Sequence, residues 1–319
     1  MRSTSPRGNL ALTVAALVIA CMPIYASPYH MQLASTAMIA AMFALSLQLL
    51  LGGAGMVSLA QAAFFGLGAY TVHLLSRILG GSPSILLSLP ASALVAAFAA
   101  FVIGPFALRT RGFYFLMTTL AFGQMLFFVF HDTPLGGGAD GVFIQRPVFA
   151  AFGVGFEVTR ADRTTVFLLA NLSVLTAMYA VLWWLMQTLF GHALLGIRAN
   201  EDRMRAMGHD VLRLKLAAFV LAGAFAGVAG HMAALNDAFV NPELLGWHRS
   251  AEALLIVLLG GIGALHGPIL GAFAYTLIGE IGQSITERQR LVEGFLILAA
   301  VLLLRHGIAG LRLRRRVPT

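Results

Sequence analysis

The chain has 319 residues, of which 59% are hydrophobic and 11% charged, against roughly a quarter charged in an ordinary soluble domain. A water-soluble surface cannot be built from that composition, and a mean hydropathy of +0.86 excludes a soluble enzyme. The net charge of +8 does not point to nucleic acid, because 20 of the 21 basic residues are Arg, scattered in small groups between apolar runs. That scatter is a topology pattern and not a nucleic-acid-binding face. A lone cysteine, Cys21, rules out an internal disulfide or a Cys-based metal cluster.

In chain order, Arg2 and Arg7 ahead of the apolar stretch Leu10 to Cys21 resemble a signal peptide. Met22 and Pro23 are poor company for cleavage, so the stretch is expected to remain as a first helix. Apolar runs near the ~20 residues needed to cross the hydrocarbon core give candidate spans at 10–26, 31–51, 57–78, 84–108 and 112–131. A second set falls at 164–188, 214–235, 250–263, 268–284 and 291–304. The expected fold is therefore all-α, a polytopic transmembrane bundle of about ten spans with Gly-broken helices, forming a single domain over 1–319. With the N-terminus inside, fourteen of the 21 basic residues fall on the cytoplasmic side, among them Arg109, Arg111, Arg198, Arg203, Arg205, Arg213 and Lys215. Cytoplasmic segments carry the positive excess, so both termini are expected in the cytoplasm. Two longer polar segments remain, 132–163 outside and 190–215 inside.

Glycine interrupts two apolar regions. The first runs from Gly52, Gly53 and Gly55 to Gly66 and Gly68, and the second from Gly260, Gly261 and Gly263 to Gly267, Pro268 and Gly271. Backbone broken at membrane depth must lie inside protein or line a wet cavity, and one break in each half suggests an internal repeat. Ser58, Gln61, Gly66, Gly260, Gly261 and Gly263 are the candidates for a translocation pathway. Close packing through small residues is the other reading of such glycines, and it fits Gly223, Gly227 and Gly230 best. The remaining polar groups within spans, Gln48, Gln124, Asn171, His231 and Glu280 with Glu252 near an end, suit either a pathway or an interhelical hydrogen bond.

The inner segment predicts a short helix. Asn200 is a good N-cap, Glu201 and Asp202 place negative charge on the first turn, and Gly208 is suited to end the helix. The expected length is about eight residues, roughly 12 Å. Met204 and Met207 share a face at i, i+3, flanked by Arg203 and Arg205, which makes an adaptable apolar knob with cationic sides. A solvated connector lying on the headgroups fits the same pattern. The sequence contains no phosphate-binding loop, no His-Glu-x-x-His pair and no nucleophile elbow, so ATP-driven work would need a partner chain.

Several blocks in fixed order resemble the LivM-type permease subunit of bacterial branched-chain amino-acid ABC importers. They are Gly55-Met56-Val57-Ser58-Leu59-Ala60-Gln61 through Tyr70, Arg111-Gly112-Phe113-Tyr114-Phe115, Gly138-Ala139-Asp140-Gly141, Ile197-Arg198-Ala199-Asn200-Glu201-Asp202-Arg203, Asn241-Pro242-Glu243 and Leu259-Gly260-Gly261-Ile262-Gly263. The resemblance implies a non-catalytic subunit without cofactor in the bacterial inner membrane, paired with a sister permease. It implies two cytoplasmic ATPase subunits and a periplasmic solute-binding protein as further partners. It also implies that Asn200, Glu201, Asp202, Arg203, Met204, Met207 and Gly208 dock on an ATPase. Ala60 stands where the family has a glycine and Ala139 where it has Ser or Thr, which leaves urea, short amides or other amino acids open as solutes. A self-sufficient secondary transporter, motivated by the paired breaks and Glu280, and an intramembrane enzyme using His231 and Glu280 are the competing classes.

Overall fold

The computed structural model describes residues 19–285 except 24, 26, 82–83, 145–148, 152–153 and 157–162, together with 294, 307 and 308. The candidate spans at 10–26 and 291–304 thus lie largely outside the described residues. Helix α1 (Pro28–Gln48) continues into a π-helical turn, Leu49–Ala54, and is followed by α2 (Gln61–Leu79), α3 (Ile85–Ala107) and α4 (Phe113–Asp132). After a segment with short strands β1 (Val142–Phe143), β2 (Phe149–Ala151) and β3 (Val154–Phe156) come α5 (Arg163–Gln187), α6 (Leu189–Ala199), α7 (Glu201–Ala206) and α8 (Val211–Asp237). The described chain closes with β4 (Phe239–Val240), a 3₁₀ turn at Pro242–Leu245, α9 (Trp247–Gly260) and α10 (Gly267–Ile285).

Six of the described helices are long and apolar enough to cross a membrane: Pro28–Ala54, Gln61–Leu79, Ile85–Ala107, Phe113–Asp132, Arg163–Gln187 and Val211–Asp237. The candidate span at 250–263 is a helix of 14 residues, about 21 Å long, so α9 alone falls short of a ~30 Å hydrocarbon core. Asp237 ends α8, and β4 just beyond it pairs antiparallel with β1, Val142 opposite Val240. The segments after α4 and after α8 therefore meet at one end of the bundle. β2 and β3 form a second ribbon within 132–163.

The first span, α1 with its π-turn, lies at the centre, and 94% of its most apolar window is buried inside the chain. Around it, α3 and α8 pack antiparallel through a stripe of small residues. Ser88, Ser92, Ala96, Ala100 and Gly104 on α3 recur every fourth position, and Gly223 and Gly227 on α8 lie against Ala100 and Ala96. A Cβ at Gly230 would overlap the Phe65 carbonyl oxygen, and one at Gly68 the Gly227 carbonyl, so α2 crosses α8 backbone to backbone. In lipid, helices associate through such contacts because the tails are as apolar as leucine. The large apolar side chains of α3 and α4, such as Leu94, Phe98, Phe101, Tyr114 and Phe128, are exposed. A face of that kind suits contact with hydrocarbon.

Candidate functional site

The first glycine region is a joint at the C-terminal end of α1. The π-turn ends at Gly55, whose φ of 71° is the left-handed conformation that glycine adopts without a Cβ clash. From there to Ala60 the chain is not helical, yet Leu59 and Ala60 lie against Gly123, well inside α4. Lipid cannot satisfy the freed amides at that depth, and serine and threonine side chains do so. Ser250 Oγ on α9 donates to the Leu59 carbonyl at 2.7 Å and accepts from the Ala62 amide at 2.9 Å. Thr119 Oγ1 on α4 accepts from the Leu59 amide at 3.2 Å, and Ser58 Oγ accepts from Ala60 at 3.3 Å.

The carbonyls at the end of α1 are handled differently. The Met56 amide, which in a regular helix would close on Gly52, bonds the Leu50 carbonyl instead at 3.1 Å. The Gly52 carbonyl accepts a hydrogen bond of 2.6 Å from the Arg198 guanidinium, 146 residues further along the chain. A cation at a helix C-terminus meets the negative end of the helix dipole. The aliphatic stem of Arg198 lies against Gly55, and Leu194 of α6 lies over Gly53. Just before the turn, buried Gln48 donates through Nε2 to the carbonyls of Ile262 at 2.9 Å and Ala264 at 3.3 Å. Those carbonyls belong to the second glycine region, so one amide joins the two breaks.

The pathway candidates lie in and around these two breaks. Ser58 and Gln61 are buried, and Gln61 faces Ser46 Oγ at 3.5 Å. Gly66 sits beneath Leu245, and Gly260 packs against the backbone of Gly267. Gly261 is buried with φ 104°, and Gly263 is the exposed member of the set. His231 has a packing role: Ser92 Oγ lies 3.0 Å from its Nδ1 and Ser88 Oγ 3.4 Å from its Nε2, tying α3 to α8. Glu280 accepts a hydrogen bond from the Tyr29 hydroxyl. Gln124 Nε2 and both amide atoms of Asn171 are buried with no hydrogen-bond partner among the described residues.

Segment 190–215 folds as its sequence indicates, with a shorter helix. Asn200 Oδ1 accepts from the Arg203 amide at 2.9 Å and α7 runs for six residues, not eight, because Met207 already leaves the helix and Gly208 turns at φ 85°. Asp210 then caps α8 through the Arg213 amide at 3.1 Å. The two methionines separate: Met204 is half-buried over Gly196, whereas Met207 is 67% exposed. Asp202, Arg203 and Arg205 are exposed beside it.

Glu201 anchors α7 to the base of α8. Its carboxylate accepts from Lys215 Nζ at 2.6 Å and from Arg205 at 2.5 Å. Partial burial pushes its pKa up, but the Lys215 hydrogen bond and charge, with Arg205 and Arg111 nearby, outweigh that and hold it below the ordinary carboxylate value. Arg198, Lys215, Ser250 and Thr119 make these contacts, and sequence reasoning gave none of them a site role. Arg198 carried the clearest signal, as an arginine one turn from apolar Leu194 and two positions ahead of the Asn200 cap.

An apolar helical bundle with six helices able to span a bilayer and a broken helix at its centre defines a multi-pass membrane protein. Residues 29–304 match the family described as branched-chain amino acid transport system / permease component, and the chain belongs to that family, as a permease subunit of the ABC importer class. It is 30% identical over 315 residues to the high-affinity branched-chain amino acid transport system permease protein LivM of Escherichia coli, covering 92% of this chain and 73% of the relative. The LivM protein of Salmonella typhimurium matches with the same identity and coverage. A probable branched-chain amino acid transport permease of Methanocaldococcus jannaschii is 25% identical, over 67% of this chain and 64% of that one. Among solved structures, PsaBC from Streptococcus pneumoniae in complex with Fab matches with a TM-score of 0.49 at 14% identity, covering 93% of this chain and 98% of that chain.

Proposed function

We propose that this subunit forms one half of a heterodimeric membrane channel with a sister permease and moves branched-chain amino acids inward by alternating access. Two separate ATPase subunits drive the cycle from the cytoplasm, and a periplasmic binding protein delivers the solute near segment 132–163. The chain crosses the inner membrane about ten times with both termini inside, counting the candidate spans that the sequence offers at 10–26 and 291–304 as the first and last crossings. The observation that carries this reading is α7: a capped helix with exposed Met207, Arg203 and Asp202, clamped by Glu201 to Lys215 at the start of α8. Such a rigid projection transmits the closing of a docked partner as rigid-body motion of helices.

The solute rests on the relatives. Two of them transport branched-chain amino acids by name, and a shorter match is to a galactose/methyl galactoside import permease. The decisive experiment is uptake of labelled leucine, isoleucine, valine, urea and acetamide by proteoliposomes holding the complete transporter. Uptake of the three amino acids that requires ATP, and that is abolished by Arg203→Glu with Met204→Asp, is expected. Uptake that continues without ATP, or in the double variant, contradicts the reading; ATP-dependent uptake of urea or acetamide alone changes the solute.

A further inference from the structure

The π-turn Leu49–Ala54 is held from two sides by side chains that belong to different parts of the chain. On one side is Arg198, the last residue but one of α6 and two positions before the cap of α7. On the other is Gln48, bonded to Ile262 and Ala264 in the turn between α9 and α10. We propose that Arg198 and Gln48 are positioning residues of a relay, in which α7 drives the π-turn through Arg198 and the π-turn drives the second glycine break through Gln48. The proposal rests on the assignment of α7 as the ATPase-docking helix.

Three features support a moving joint over a static brace. A π-helical turn is rare and is often found at functional sites. Beyond the buried leucines that open the turn, Gly52, Gly53 and Gly55 carry no side chains, and what Leu194 and Arg198 lay on them is aliphatic contact at Gly53 and Gly55 and one charged hydrogen bond at Gly52. A single strong donor on a carbonyl at a helix end can pull that end without melting the rest, because α1 below it is buried and fully helical. Gln48 in turn has one buried amide oxygen with no partner among the described residues. An unsatisfied buried acceptor is costly, and it is a group that a second arrangement of the joint can satisfy.

The relay accounts for both interruptions falling beside the same buried glutamine. Gly263, exposed in the second break, then changes surroundings whenever α7 is displaced, although α7 has no side-chain hydrogen bond to it among the described residues.

The test uses the complete transporter in proteoliposomes, with Cys21→Ser and a single reporter cysteine, Gly263→Cys. In the otherwise native protein, the labelling rate of the reporter by a polar thiol reagent is expected to differ between the nucleotide-free and ATP-trapped states. With Arg198→Gln, ATP hydrolysis is expected to stay within about twofold while uptake per ATP falls about tenfold, the order of one hydrogen bond to a charged group. The reporter is then expected to lose its nucleotide dependence. Arg198→Lys keeps a donor and should restore part of the uptake, and Gln48→Met should match Arg198→Gln. A reporter that still follows nucleotide in Arg198→Gln overturns the relay, and so does a parallel fall of hydrolysis and uptake, which would make Arg198 a brace for docking. If the native protein takes up solute without ATP, it is the α7 assignment that fails.

Discussion

Glycine marks two regions of this molecule that behave in opposite ways. Where α2 and α3 meet α8, Gly68, Gly227 and Gly230 bring backbones into direct contact, and the one strongly polar group there, His231, is held by Ser88 and Ser92. At the end of α1, Gly52, Gly53 and Gly55 open a π-turn and a non-helical stretch, and the neighbouring Gln48 and Gln61 each keep a buried polar atom without a partner among the described residues. Small side chains allow close approach in one place and backbone departure in the other. The contact face is built to stay, whereas the joint is built to have a second arrangement, because its polar groups are only partly satisfied.

The largest effect that separates them should come from filling the contact face. Gly230→Ala puts a Cβ into the Phe65 carbonyl, and backbone against backbone cannot relax as a flexible side chain can. A loss of about 3 kcal/mol, the upper end for overpacking, is expected, read as a fall in folded yield and in the detergent melting temperature. Gly53→Ala, with only ordinary contacts to Leu194, Leu49 and Met186, is expected to change that temperature little. Equal loss in both would erase the distinction.

His231→Leu should be milder. It removes two interhelical hydrogen bonds, each worth about 0.6 kcal/mol in a membrane, so the melting temperature should fall by a few degrees with ATP-driven uptake retained. Loss of uptake at unchanged stability would move His231 into the transport machinery.

The smallest effect concerns α7 itself. Glu201→Gln weakens the Lys215 clamp, expected to speed amide exchange in Asn200–Ala206 roughly fivefold, for about 1 kcal/mol of local stability. Because the folded pKa of Glu201 is held below its ordinary value of 4.5, its contribution is fully present above pH 4.5. It is lost as the pH falls through the lowered folded value. The native helix should therefore show an acid-dependent rise in exchange that Glu201→Gln lacks.

Much of this was legible in the sequence, for local reasons. Apolar runs located the described spans to within a few residues, because the hydrocarbon core sets their length. The cap at Asn200 and the stop at Gly208 follow from backbone chemistry over nine positions, and Gly223, Gly227 and Gly230 announced a contact face by their spacing. What the sequence hid is long-range. Arg198 reaches Gly52 across 146 residues and Gln48 reaches Ile262 across 214, and no periodicity records such a meeting. Arg198 read as a topological charge within a family block, and Ser250 as an ordinary helix residue, because the sequence marks where the backbone breaks but not which distant side chains satisfy it. Ser88 and Ser92 could have been found from the four-residue repeat they begin with Ala96, Ala100 and Gly104.

The central claim is that α7 is where ATP-driven motion enters the chain. A photoreactive benzoylphenylalanine placed at Met207 in the complete transporter, compared with one at Phe143 beside the β1–β4 ribbon, tests it most directly. Illumination should attach the ATPase subunit through position 207, and not through 143, and should stop uptake. Cross-links from 207 to lipid alone, with uptake unaffected, would contradict the account.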